Sequence, residues 1–253
     1  MANPALVSNL AASIPSVTTT PRHAGVVRFT HWIITLCFFA LLVTGIEILI
    51  SHPRFYWGEV GNVDMPSLFE LPIPASRGSV NTGYSFVLPD QNSWSRSLHF
   101  QAGWVAVFAG LLYAINGLLN GHFRRNILPA KADLSWSLLW AQIANHMRFK
   151  RPDEAAAQSY NSLQRITYLI VIFVLFPLMI WTGLAMSPAF TGTFPSIVNV
   201  FGGQQSARTI HFFVTISLVL FLIVHIMMVV LSGFANRMRA MITGYAGQPK
   251  EKA

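Results

Sequence analysis

Ile210 to Leu231 is a stretch of 22 residues without a charged side chain, and it carries two histidines fourteen residues apart. That length is what a helix needs to cross the hydrocarbon core of a bilayer. Fourteen residues make about four turns, so His211 and His225 leave nearly the same face, about 21 Å apart along the axis. One imidazole therefore lies toward each membrane surface. Histidine in lipid is costly and usually pairs with something. Haem iron is a strong candidate, because axial imidazole is one of its standard ligands. A helix with one imidazole at each depth helps to hold two haems in a stack that carries electrons across the membrane.

Three further segments have spanning length. The expected spans are 29–50, 98–119, 166–186 and 210–231, all helical because backbone groups in lipid must bond internally. Hydrophobic residues make up 53% of the chain and charged residues 10%, far below the roughly 25% charged of soluble domains. Pro177 should kink the third span. The net charge of +8 reads as topology and argues against nucleic-acid binding. With an even number of spans both termini share one side. That side holds Arg22, Arg28, Arg124, Arg125, Lys131, Arg148, Lys150, Arg151, Arg165, Arg237, Arg239, Lys250 and Lys252, whereas the other holds Arg54, Arg77, Arg96 and Arg208. The excess of cations marks the termini as cytoplasmic.

The fold class that follows is an all-α integral membrane protein, a four-helix bundle with cytoplasmic termini. Residues 1–21 form a loose cytoplasmic tail, 22–239 the membrane domain, and 240–253 a second cytoplasmic tail. The periplasmic loop 51–97 is rich in aromatics, among them Phe55, Tyr56, Trp57, Phe69, Tyr84, Phe86 and Trp94, and reads as an ordered cap or docking surface. The cytoplasmic connection 120–165 contains Leu134, Trp136, Leu138, Trp140, Ile143 and Met147, a pattern for an interfacial amphipathic helix. The single cysteine, Cys37, rules out an intramolecular disulfide and a two-cysteine haem attachment. Any haem is then held without thioether bonds, as haem b is.

No full repeat is evident, but an Arg-x-x-His motif occurs three times: Arg28–His31, Arg96–His99 and Arg208–His211. Each arginine stands one helical turn nearer the water than its histidine. Such an arginine suits a haem propionate; a lone arginine there is commonly an interface anchor. Depth sorts the histidines into two pairs. His31 and His225 fall near the inner surface, His99 and His211 near the outer, which matches two bis-histidine haems. Gly45 follows His31 by fourteen residues and Gly117 follows His99 by eighteen. Each would let the macrocycle at the other level approach the backbone, or would simply ease helix packing. His23, Asn145 and His146, with Arg28, are candidates for a quinone headgroup at the inner surface. Glu47 is an ionisable group at membrane depth.

The chain resembles the bacterial diheme cytochrome b subunits of formate dehydrogenases, nickel–iron hydrogenases and thiosulfate reductases. The residues that carry the likeness are Arg28 with His31-Trp32, Arg96 with His99, and Arg208-Thr209-Ile210-His211 followed by His225. The stretches Tyr160-Asn161-Ser162-Leu163-Gln164-Arg165 and Thr182-Gly183-Leu184-Ala185-Met186-Ser187-Pro188 look most like the thiosulfate-reductase-type branch. The resemblance implies histidines 31, 99, 211 and 225 as haem ligands, a quinone site near one membrane surface, and a partner subunit with molybdopterin or another redox centre. The outer loop is longer than in several members and is similar in length to that of cytochromes associated with sulfite-oxidase-like molybdoenzymes.

The expected function is a bacterial inner-membrane cytochrome b with two b haems, moving electrons between quinone and a periplasmic redox partner. The alternatives are a stand-alone quinol oxidase that reduces a small oxidant such as superoxide, and a haem-free transporter or scaffold with a histidine proton path.

Overall fold

The computed structural model describes residues 21, 23–62, 64–73, 91–129, 135–148 and 162–245. Nearly all of the expected N-terminal tail, and the loop aromatics Tyr84 and Phe86, lie outside the described residues. So does Tyr160-Asn161.

Four helices are long and apolar enough to cross a membrane: Gly25–Ser51, Trp94–Leu119, Leu163–Ala185 and Gln204–Leu231. The first is α1 (Gly25–Ser51), which stops ahead of Pro53, whose ring disfavours helix in the residue before it. A two-stranded antiparallel ribbon follows, β1 (Arg54–Phe55) against β2 (Phe69–Glu70), with Arg54 opposite Glu70 and Phe55 opposite Phe69. Helix α2 (Gln91–Leu119) starts earlier than the sequence pattern suggests, so the outer loop is shorter than 51–97. Helix α3 (Trp136–Met147) lies in the inner connection, with Trp136 and Trp140 exposed and meeting edge to face. A helix is thus present where the sequence pattern suggests an amphipathic one.

The third span is α4 (Ser162–Ile170), a wide π turn over Val171–Leu175, and α5 (Phe176–Ala185). Pro177 has no N–H to offer the preceding turn, and its ring crowds the carbonyl four residues back. The wide turn beside it absorbs that mismatch, so the span is locally rewound rather than broken. Short α6 (Pro188–Thr193) and α7 (Ser196–Asn199) lead to α8 (Gln204–Leu231). Helix α9 (Phe234–Thr243) is the last described helix and runs across the expected start of the C-terminal tail at 240.

Packing runs within two hairpins, α1 with α2 and α5 with α8. The α1–α2 seam is made of small side chains at seven-residue intervals. Thr30, Cys37, Thr44 and Ser51 are buried on one helix, Ser95, Ala102 and Ala109 on the other. Small residues let helix backbones approach in lipid, where apolar burial gives no drive to associate. Cys37 belongs to this seam. In the second hairpin Val171, Val214 and Leu218 form the core, and Phe38 of α1 reaches it. Leu36, Phe39, Val43, Phe108, Leu111 and Leu220 are exposed, as suits lipid-facing positions.

Candidate functional site

The outer end of α8 is built by the loop that packs on it. The first turn of a helix leaves N–H groups without intrahelical partners. Here the Gly58 carbonyl accepts from the Gln205 and Ser206 amides at 3.0 and 3.2 Å, and the Glu59 carboxylate accepts from the Gln204 amide at 3.3 Å. Thr209 is buried and its hydroxyl donates to the Tyr56 carbonyl at 2.8 Å. Gly203 makes the approach possible: it holds φ +133°, and a Cβ there would collide with the Gly58 backbone.

From this start α8 projects Arg208, His211 and, further down, His225. The His211 ring faces that of His99 on α2, with centroids 6.4 Å apart and planes at 57°. The His225 ring faces that of His31 on α1, at 6.5 Å and 51°. The four imidazoles thus come together as the two depth-matched pairs that the sequence suggests. Imidazole nitrogen sits about 2 Å from a ligated metal, so two imidazoles on opposite sides of one ion have centres about 6 Å apart. Both gaps fit one ion. Among the described residues no group of three histidine, cysteine or carboxylate side chains gathers around a common point. Each pair therefore offers two nitrogens and leaves the equatorial positions to another ligand, which is the donor set that haem requires.

The two pairs are supported differently. At the outer level the Thr44 hydroxyl lies 2.9 Å from His99 Nδ1, and the Thr182 hydroxyl 2.9 Å from His211 Nδ1. At the inner level His31 Nδ1 is buried with no hydrogen-bond partner among the described residues, and so is Arg28 Nε. Orphaned buried polar atoms are rare in native proteins and call for a ligand or water. A haem with its propionates would occupy such a place. His225 stacks on Phe221 at 5.7 Å and 26°.

The arginines have protein partners as well. Arg28 donates to the Ile242 carbonyl at 2.7 Å, and Trp32 to the Met241 carbonyl at 3.2 Å, so α1 and the end of α9 are tied together. Arg208 donates to the Arg54 carbonyl at 3.0 Å and to the His52 carbonyl, and its guanidinium lies 4.9 Å from the Phe55 ring centre. Arg96 is exposed on the first turns of α2. Both Arg96 and Arg208 act on His52, which burial first, then Arg208, then Arg96, hold below the usual histidine range.

Gly45 lies beside the outer pair: a Cβ there would stand 3.5 Å from His99 Cε1. At Gly117 the Phe123 ring fills the space, 2.6 Å from where a Cβ would be. Gly183 was not singled out from the sequence, yet it repeats Gly45, with its Cβ position 3.6 Å from His211 Cε1. The shared Thr-Gly step, Thr44-Gly45 and Thr182-Gly183, was the available signal.

Of the inner-surface candidates, the side chains of Asn145 and His146 lie outside the described residues, and His23 precedes α1 by two positions. A cleft of about 300 Å³ opens nearby, lined by Ala24, Val27, Asn116, Asn120, His122 and Arg125. His122 is held below the usual range by burial and then by Arg125, which favours its neutral form.

Residues 22–244 match the family described as prokaryotic cytochrome b561. The chain is also similar to the putative protein-methionine-sulfoxide reductase subunit YedZ1 of Azospira oryzae, at 26% identity over 228 residues, covering 88% of this chain and 96% of that protein. No solved structure matches at a significant level.

Proposed function

The chain belongs to the prokaryotic cytochrome b561 family, and on that footing we propose a diheme subunit that moves electrons between the quinone pool and a periplasmic redox partner. It is a multi-pass bacterial inner-membrane cytochrome b with haem b as cofactor and electron transfer as its work. The proposal adds the number of haems, their ligands and the two redox partners.

One haem b is held by His99 and His211, the other by His31 and His225. The observation that carries this reading is the pair of near-equal ring separations, 6.4 and 6.5 Å, at two depths of one bundle. When bound, haem supplies one-electron redox chemistry. The protein supplies position and burial. Arg28 meets propionates at the inner level, Arg96 and Arg208 at the outer. The helices exclude water from the imidazoles and keep their spacing. At the inner surface the cleft lined by Asn116, Asn120 and His122 offers neutral hydrogen-bonding groups to a quinone headgroup, with His23, Asn145 and His146 as further candidates.

The periplasmic partner is an oxidoreductase subunit, with molybdopterin as its redox centre. The name of the Azospira oryzae relative, a reductase subunit, supports a partnered role over a solitary one. Haem quantitation and low-spin electron paramagnetic resonance on His31→Ala, His99→Ala, His211→Ala and His225→Ala test the core of the reading. His99 and His211 variants should lose one and the same signal, His31 and His225 variants the other. Loss of one signal in both His31→Ala and His211→Ala would refute the pairing. Mass spectrometry of the native complex tests the partner.

A further inference from the structure

Thr44 and Thr182 stand on different spans and make the same contacts. Both are fully buried. The Thr44 hydroxyl donates to the Ala40 carbonyl at 2.7 Å, and the Thr182 hydroxyl to the Leu178 carbonyl at 2.8 Å. A hydroxyl has one hydrogen to give. With it committed to the backbone, the oxygen 2.9 Å from each histidine Nδ1 acts as an acceptor. Nδ1 then carries the imidazole proton and Nε2 the lone pair, because neutral imidazole has one of each. The glycine after each threonine lies beside the ring edge: a Cβ there would come into ordinary contact, 3.5 Å from His99 Cε1 and 3.6 Å from His211 Cε1. The Thr-Gly step is thus used twice, from the first span onto the second and from the third onto the fourth. The inner pair has no such support at His31, whose Nδ1 is without a partner among the described residues.

We infer that Thr44 and Thr182 are positioning residues that fix the tautomer and plane of the outer histidines, so that His99 and His211 present Nε2 to iron and donate to it more strongly than unsupported imidazoles would. The inference rests on the diheme reading. An acceptor at the far ring nitrogen orients a metal-bound histidine and raises its basicity. A more basic ligand favours ferric over ferrous iron, so these hydroxyls lower the midpoint potential of the outer haem.

The test uses the full-length protein with Thr44→Val and Thr182→Val, which keep shape and lose the acceptor, and Thr44→Ser and Thr182→Ser, which keep it. The readouts are optical redox titration, low-temperature electron paramagnetic resonance, and haem retention against an apoprotein scavenger. Each valine variant should raise the midpoint potential of the haem that His211→Ala removes, alter its resonance, and weaken its retention about ten-fold. The serine variants should match the wild type, and the inner haem should not move. An unchanged outer haem in the valine variants, a shift confined to the inner haem, or serine behaving like valine would overturn the inference. Where a valine variant loses the outer haem altogether, full loading of its serine counterpart upholds the inference and loss there refutes it. Failure of the diheme reading has a separate mark: wild-type protein with fewer than two haems, or His99→Ala with both signals intact.

Discussion

Gly58 and Ser206 bond reciprocally: the Gly58 amide donates to the Ser206 hydroxyl at 2.7 Å, and the Ser206 amide donates to the Gly58 carbonyl at 3.2 Å. Ser206 is fully buried by this contact. The exchange satisfies a first-turn amide of α8 with loop backbone, much as a capping box does with side chains. It fixes where α8 begins, and so the depth of Arg208 and His211 below it.

That junction should be intolerant of a side chain at Gly203. A Cβ would collide with the Gly58 backbone, and φ +133° is strained for any other residue. Gly203→Ala should destabilise the protein by about 1–3 kcal/mol or more. Gly192→Ala, where a Cβ meets nothing within 4 Å, is the control. Thermal melting in detergent, with the outer haem spectrum followed alongside, checks the difference. Equal melting of both variants would mean that the loop can dock without that close approach.

The two outer arginines should separate in their effects. Arg208 bonds two loop carbonyls and lies over Phe55, so Arg208→Gln should loosen the loop as well as act on the haem. Arg96→Gln should lower the outer midpoint potential and leave loop protection unchanged, because removing a nearby cation favours oxidised iron. Redox titration and hydrogen exchange of the Arg54–Glu70 ribbon read the two effects independently. An unmoved potential in Arg96→Gln would leave that residue as a surface anchor.

Stability should fall in mild acid through His52. Burial, then Arg208 and Arg96, lower its proton affinity, and a backbone hydrogen bond at Ser51 opposes them. The folded protein holds this proton less tightly than the unfolded chain, whose histidines titrate near about 6.5. Below that value the unfolded chain binds more protons, so stability drops as pH drops. The contribution is complete above the unfolded value and is lost as pH falls through the folded one. His122, lowered by burial and Arg125, acts in the same direction. Melting between pH 7.5 and 5 should shift less in His52→Gln than in the wild type. An identical shift would remove His52 from the account.

Docking of a partner should depend on Trp57 and Leu68 rather than on Phe55 and Tyr56. Phe55 is 2% exposed and Tyr56 is buried, so they hold the cap together, whereas Trp57 is 61% exposed, and Val60 and Leu68 of the same loop are exposed too. Exposed aromatic and aliphatic side chains are typical anchors of protein interfaces. Trp57→Ser with Leu68→Ser should keep both haem spectra and lose co-purification of the partner. A partner that stays bound while the outer haem spectrum changes would make the loop a shield only.

The spans and the histidine pairs were legible because both follow from helix geometry. Hydropathy sets length, and an interval of fourteen residues sets face and depth. The small-residue seam went unread, because the heptad spacing of Thr30, Cys37, Thr44 and Ser51 is inconspicuous in a uniformly apolar helix. Thr44 and Thr182 were harder to find, because a threonine that bonds its own preceding turn is ordinary in lipid. Their second contact depends on which helix lies opposite. Gly117 shows the limit of counting turns. Its eighteen-residue interval from His99 suggests room for a macrocycle, but the chain reverses at Gly121 and the π turn over Phe123–Ile127 brings Phe123 into that space.

Helix α8 runs from Gln204 to Leu231 without a proline or glycine. The third span, in contrast, contains the wide turn and Pro177. One half of the second hairpin is therefore stiff and the other is jointed. His211 and His225 are therefore two marks on one ruler, some 21 Å apart by helix rise. The Gly58–Ser206 junction that sets where α8 begins thus sets the depth of both imidazoles at once.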